Sequence, residues 1–423
     1  MRTEESAKLT PGQIRGSWAA WGGWTLDGMD SFIYALVLAP AMRELLPKSG
    51  ISATPANAAY YGSILFALFL VGWGLSFLWG PVADQFGRVR TLMLTILCYS
   101  LFTFLDGIAN NVWQLAIFRL LAGIGIGGEW TLGGTLLAEQ WPENKKVHGG
   151  AYMHSGYDVG TLLAGLLNYL VGARYGWRAM FLLGGTPALL VAFIRWGVAE
   201  PERWQERKKL TAPQAFLRLF SAQFRRRTIS NGLFVLISMI GLWAGSVYVP
   251  TAVAQLAARA GRPSEAPHLA SNAIVLLSVG TILGCLFTPW LLARLGRRGA
   301  LGFFFALMAI FITLAFGYSF YLAQDALQWF MACLFFVGVG GASFCVYTIW
   351  LPEQYPTECR ASAFAFATAF RRFLAAGITF LVGAGVSYFG TLGKPVALTA
   401  IAFVLGLILL PLGQETRGQT LPD

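Results

Sequence analysis

Five carboxylates (Asp27, Asp30, Asp106, Glu129 and Asp158) and four arginines (Arg119, Arg195, Arg371 and Arg372) fall inside stretches of apolar sequence long enough to cross a bilayer. An ionised group at the centre of a spanning helix costs about 2.5 to 3.5 kcal/mol on insertion scales, so each needs a partner or a wet cavity. A carboxylate in a low-dielectric cavity gains proton affinity. It can be neutral while one face is open and ionised while the other is, which is the chemistry of proton coupling. Asp27 and Asp30 stand three apart, on one helix face and about 4.5 Å apart along the axis, and two like charges so close do not both ionise cheaply. The alternative is that Gly28 breaks the helix and Asp27 caps its continuation.

Arg119 lies about 12 Å inside the outer end of its helix, too deep to reach out to water. It is expected to face a cavity, as partner of Asp27 or Asp30 or as a two-pronged holder of a substrate carboxylate; a permanent structural ion pair is the other reading. Arg371 and Arg372 point about 100° apart, so at least one should face the cavity, where a fixed cation draws anions; pairing with a neighbouring carboxylate is the alternative. His154 and Asp158, four apart on one face, form a second proton site, a substrate contact or a structural pair. Glu129 lies deeper toward the cytoplasm and is read mainly as packing or gating, and also as a proton-coupling candidate. Asp106 and Arg195, near span ends, are expected to reach the interface. Among the aromatic residues, Tyr34, Tyr61, Tyr157, Trp243, Tyr248, Tyr347 and Trp350 are candidate substrate contacts.

The elements that must hold these groups follow from composition. The 423 residues are 56% hydrophobic and 12% charged, with a mean hydropathy of +0.59, too apolar for an ordinary soluble domain. Twelve stretches of about 20 apolar residues predict an all-α membrane protein with twelve transmembrane helices. Twenty of the 31 lysines and arginines fall in loops on the side of the termini, which predicts a cell inner (cytoplasmic) membrane protein with both termini in the cytoplasm. The net charge of +11 is dispersed among these loops, which suits anionic membrane lipid and not nucleic acid. No cleavable signal is evident, since the first sixteen residues are polar and the first apolar run is long enough to remain as a span. The five cysteines have no metal-ligand spacing and read as reduced structural thiols. With no P-loop, zinc spacing or nucleophile elbow, no enzyme, cofactor or metal is expected.

A polar segment divides the chain into an N-terminal six-helix bundle (1–198), a cytoplasmic linker (199–228) and a C-terminal six-helix bundle (229–423). Within the linker, Ala212 to Arg227 reads either as an amphipathic helix on the inner membrane surface or as a disordered stretch. Glu139-Gln140-Trp141-Pro142 and Glu353-Gln354-Tyr355-Pro356 lie 214 residues apart, and the same shift carries Lys146 onto Arg360. Such a repeat implies two halves related by a pseudo-twofold axis along the membrane normal, with substrate held between them. The turn from Gly80 to Arg90 recurs as Pro289 to Arg298, with Ala293 where Asp84 would be. The halves are therefore related but not equivalent.

The Gly80 to Arg90 turn, Arg119-Leu120-Leu121-Ala122-Gly123, Gly127-Gly128-Glu129-Trp130, Gly176-Trp177-Arg178, Glu200-Pro201-Glu202-Arg203-Trp204 and Tyr355-Pro356-Thr357-Glu358-Cys359-Arg360 together resemble the major facilitator superfamily, over nearly the whole chain. The set is similar to its proton-coupled metabolite symporters, and Asp27-Gly28-Met29-Asp30 looks most like the sialate and organic-acid branches. Gln85 departs from the basic residue often found there. The resemblance implies that Asp84 and Arg88, with Arg90, close the cytoplasmic side by contacts between bundles, and that Arg372 is the cavity cation, Arg371 standing at a glycine position. The expected function is import of a small organic anion, a carboxylate or acidic sugar, with protons by alternating access in a monomer. A proton-coupled sugar symporter, an exporter or a non-transporting receptor are the rivals.

Overall fold

The computed structural model describes residues 8–186, 188–206 and 210–422; within its helices the side chains of Arg195 and Trp243 lie outside the described residues, and so do their expected roles. Every regular element among the described residues is a helix. The chain opens with α1 (Pro11–Lys48), α2 (Pro55–Leu75), α3 (Trp79–Phe86), α4 (Arg88–Ile108), α5 (Val112–Gln140), α6 (Lys146–Leu167), α7 (Ala173–Gly184) and α8 (Ala188–Gly197). The short α9 (Glu202–Glu206) and α10 (Ala212–Arg218) precede α11 (Arg225–Val247), α12 (Val249–Arg259), α13 (Ala266–Ile312), α14 (Ala326–Gly341) and α15 (Ser343–Trp350). Then come α16 (Arg360–Ala369), α17 (Arg372–Phe389), α18 (Gly393–Leu398) and α19 (Ala400–Leu409).

Local chemistry sets the helix starts. Thr10 and Gln13 form a reciprocal capping box before Pro11, and Thr54 accepts the Asn57 N–H before Pro55. Asn111 does the same for Gln114 at the start of α5. Among the described residues, six stretches are long and apolar enough to cross a membrane. One of them, Pro263–Tyr321, has 59 residues, about twice the length of one crossing, and turns at Gly296 with φ 72° and ψ −174°.

Gly28 does not break α1, which runs unbroken through Asp27 and Asp30, so the capping alternative for Asp27 falls. The glycine is there because α1 and α6 touch backbone to backbone. A Cβ at Gly28 would collide with the Tyr157 carbonyl, and one at Gly160 with the Thr25 carbonyl. Gly72 and Gly123 do likewise between α2 and α5.

The chain forms two compact units. One comprises the chain up to Thr228 with Leu351–Phe370 and the tail from Gln419; the other comprises Ile229–Trp350 and Arg371–Gly418. In the first unit, α10 is only seven residues long and buries Ala215 and Leu219 in a cluster with Phe224, Tyr355, Cys359, Ala363 and Phe366. The surface helix or disordered stretch expected over Ala212 to Arg227 is thus replaced by a segment folded onto protein, because Phe216, Phe220 and Phe224 find aromatic partners in Phe366 and Tyr355.

Candidate functional site

The first unit holds a buried charge cluster where α1, α4, α5 and α7 meet. Arg119 on α5 donates from Nη1 to Asp106 Oδ2 of α4 at 3.1 Å, and the same nitrogen stands 3.7 Å from Asp30 Oδ2 of α1. All three side chains are fully buried. The guanidinium carbon lies 4.6 Å from the Tyr34 ring centroid, 4.4 Å from Phe69 and 5.9 Å from Phe181, so aromatic faces cover what the carboxylates leave. The Tyr34 hydroxyl donates to the Gly62 carbonyl at 3.0 Å.

Three expectations change here. Asp106 is not turned outward but is buried, held by the hydrogen bond from Arg119. Arg119 is enclosed by two acids and three rings, which is not the open placement of a substrate contact; its pairing with Asp30 stands. Tyr34, buried with its hydroxyl spent on a backbone carbonyl, also leaves the set of open substrate contacts. The wet cavity expected around Asp27, Asp30, Arg119 and Glu129 is not present in this structure, since none of these is more than 1% exposed.

Below this cluster, Ser31 donates to Asp27 Oδ1 at 3.5 Å. Glu129 on α5 accepts from Thr95 at 2.6 Å, and its other oxygen lies against Gly23 of α1, where a Cβ would collide with it. His154 on α6 is buried among rings, 6.0 Å from the Trp24 centroid and 5.5 Å from Trp130. Asp158, one turn on, and Tyr157 are half-buried, with Tyr157 tilted on Trp24 at 4.9 Å.

A second cluster lies at the ends of α3, α4 and α5. Arg88 grips Glu139 with Nε and Nη2 at 3.0 and 2.9 Å, donates to the carbonyls of Ala83 and Thr357, and pairs with Asp84 at 2.9 Å. Arg360, opening α16, donates to the same Glu139 at 2.8 Å. Asp84 accepts the backbone N–H of Ala361 at 3.3 Å and both the N–H and hydroxyl of Ser362 at 2.8 and 2.6 Å. It therefore sits at the positive N-terminus of α16. These four buried charges, two arginines and two acids, sum to zero.

The repeat is visible in these pairs. Glu139 meets Arg360, while Glu353 lies 3.6 Å from Lys146, the residue that Arg360 matches under the 214-residue shift. Glu200 accepts the backbone N–H groups of Arg88, Val89 and Arg90 at 2.8 to 3.1 Å, and within the second unit Glu415 does so for Arg297 and Arg298. Each carboxylate fills the space a Cβ would need at a glycine of positive φ, Gly87 at 119° and Gly296 at 72°. Arg90 donates its backbone N–H to Glu200, and its side chain is exposed.

In the second unit, α17 begins at Arg372, so the expected continuous eleventh helix is interrupted at Phe370 and Arg371. The Arg371 guanidinium lies against Gly232 of α11, where a Cβ would collide with it; Arg372 is buried. Tyr347 donates to the Phe234 carbonyl at 2.7 Å, stands 2.9 Å from Ser238, and is fully buried, so it packs helices and does not line an opening. Trp350 likewise donates to the Gln414 carbonyl at 2.8 Å. Sequence reasoning missed Asp106 as the partner of Arg119, and Glu200 and Glu415 as caps; the recurrence of a glutamate after the sixth and last spans was the available signal.

The model of the Major Facilitator Superfamily matches residues 20–378. A probable 4-methylmuconolactone transporter of Cupriavidus pinatubonensis is 29% identical over 97% of this chain and 92% of its own length. The sialic acid transporter NanX of Escherichia coli is 27% identical over 96% and 92%. Among solved structures, the proton:xylose symporter XylE superposes with a TM-score of 0.80 at 18% identity, over 97% of this chain and 98% of that one. A family match across most of the chain, transporter relatives at near full length and a shared helical fold agree: the chain belongs to the Major Facilitator Superfamily and is a membrane transporter, not an enzyme.

Proposed function

We propose that the protein imports a small organic anion together with protons, by alternating access of two six-helix bundles (1–198 and 229–423, joined by 199–228) that cross the inner membrane twelve times with both termini in the cytoplasm. The observation that carries the reading is the buried Asp30, Arg119 and Asp106 cluster, where two carboxylates share one cation. A buried charge without a counter-ion is costly, so protonation is the route to neutrality. That proton would enter from outside and leave to the cytoplasm, with Asp30 or Asp27 as its carrier.

The anion is assigned to Arg372 with Arg371, as the family resemblance implies; Arg119 is engaged within its own cluster. Relatives named for an acidic sugar and a lactone acid support a carboxylate cargo. Asp84, Arg88, Glu139 and Arg360 act as the cytoplasmic latch, being balanced in charge and joining residues far apart in sequence.

The test is uptake into proteoliposomes of labelled 4-hydroxybenzoate, sialic acid and D-xylose, with and without an inward proton gradient. Accumulation of an acid that a protonophore abolishes is the expected result. Uptake of D-xylose alone would replace the anion reading with a sugar symporter.

A further inference from the structure

We infer that Asp106 is a positioning residue of the proton site: by hydrogen bonding Arg119 it neutralises the guanidinium and leaves Asp30 as the carboxylate that takes up and releases the proton. The inference deepens the proton-coupled reading above and rests on it. It starts from an asymmetry. Arg119 Nη1 is within hydrogen-bond distance of Asp106 at 3.1 Å, but 3.7 Å from Asp30, beyond that distance. One guanidinium cannot balance two ionised acids, and it is already committed to the nearer one.

Among the described side chains, no other cation faces the cluster. Among the described residues, the charged and titratable groups facing the cluster are Asp30 and Tyr34 from α1, Asp106 from α4, and Arg119 from α5; Tyr99 of α4 is buried and within electrostatic reach of Asp30, Asp27 and Glu129. Arg178 of α7 comes near, donating to the Gly107 carbonyl at 2.9 Å, but its guanidinium is paired with Glu44 at 2.9 Å. The cluster differs in this from the balanced one around Glu139, where two arginines meet two acids.

The step is a proton transfer. With Asp30 protonated, Arg119 and Asp106 cancel and the cluster is neutral. When the carrier opens and water reaches Asp30, the O–H bond breaks, the proton passes to that water, the electron pair stays on the carboxylate and the cluster carries one negative charge. Reprotonation from the opposite side restores neutrality.

The test is infrared titration of the full-length protein in liposomes, with hydrogen ions alone as the probe. The difference between the wild-type and Asp30→Asn spectra should contain a buried carboxylic-acid band that disappears as pH rises, the buried Asp27 and Glu129 being common to both. Asp106→Asn should lose that band, because Arg119 then turns to Asp30 and keeps it ionised, whereas Asp106→Glu should retain it. That band at wild-type strength in Asp106→Asn, or no such difference between wild type and Asp30→Asn, overturns the assignment. If Asp106→Asn does not fold, Arg119→Gln decides: a second protonated acid should appear, and an unchanged band overturns the inference. Proton-driven uptake with no response of the band to Asp106 sinks this assignment alone. A responsive band in a protein that shows no proton-driven uptake sinks the transport reading and leaves the site.

Discussion

The Asp84 carboxylate caps a helix that begins 276 residues later in the chain, at Arg360: it accepts the Ala361 and Ser362 amides and the Ser362 hydroxyl, while Arg88 neutralises it from its own helix at 2.9 Å. An acid in that place is held by the helix dipole as well as by hydrogen bonds.

Asp84→Asn keeps an acceptor for the amides but loses the charge. We expect slower counterflow with a stability loss of about 3 to 5 kcal/mol, because one positive charge of the buried cluster is left without its counter-ion. Rates equal to wild type, measured beside thermal unfolding, would remove the latch role.

Glu139 is bound by two buried arginines, so Glu139→Gln strands positive charge in protein. The expected loss is about 3 to 5 kcal/mol, read as a lower unfolding temperature in detergent. Pairing it with Arg360→Gln should recover part of the loss, because only one arginine then remains to be balanced.

Gly87 combines a φ of 119° with the Glu200 carboxylate in the space of its missing Cβ. Gly87→Ala should therefore cost at least about 1 kcal/mol, and Gly296→Ala should behave alike because Glu415 fills the same place there. Unfolding curves for the two variants check this; no loss in either would show that the strain is relieved elsewhere.

Glu44 lies past the first apolar stretch, where hydrogen bonds from Lys48 and then Arg178 hold its carboxyl down from 4.5 to about 2. A group lowered on folding adds stability above its unfolded value and loses it as pH falls through the folded one. The gap in unfolding temperature between wild type and Glu44→Gln should be present at pH 7 and shrink between about 4.5 and about 2. The contribution is small, since these side chains are partly exposed to solvent.

The all-helical class was legible because lipid imposes a simple rule of long apolar helices. The turn at Gly80 to Arg90 and the Glu139 and Glu353 repeat located the charged ends before any contact was known. Partner choice was not legible. Asp106 stands two residues from the end of α4, and only the packing of α4 on α5 brings it to Arg119. Tyr34 and Tyr347 look like site aromatics in sequence, yet their hydroxyls serve backbone carbonyls on neighbouring helices. Gly28 read as a breaker because one sequence does not reveal that another helix backbone lies against it.

The central claim is that a proton carried at Asp30 drives the transport of an acid. Proteoliposomes holding a pH-sensitive dye should report proton entry when 4-hydroxybenzoate or sialic acid is added to wild type, and none for Asp30→Asn, which should still exchange labelled acid for unlabelled. Proton entry in Asp30→Asn at the wild-type rate, or acid accumulation by wild type with no proton movement, would contradict the account.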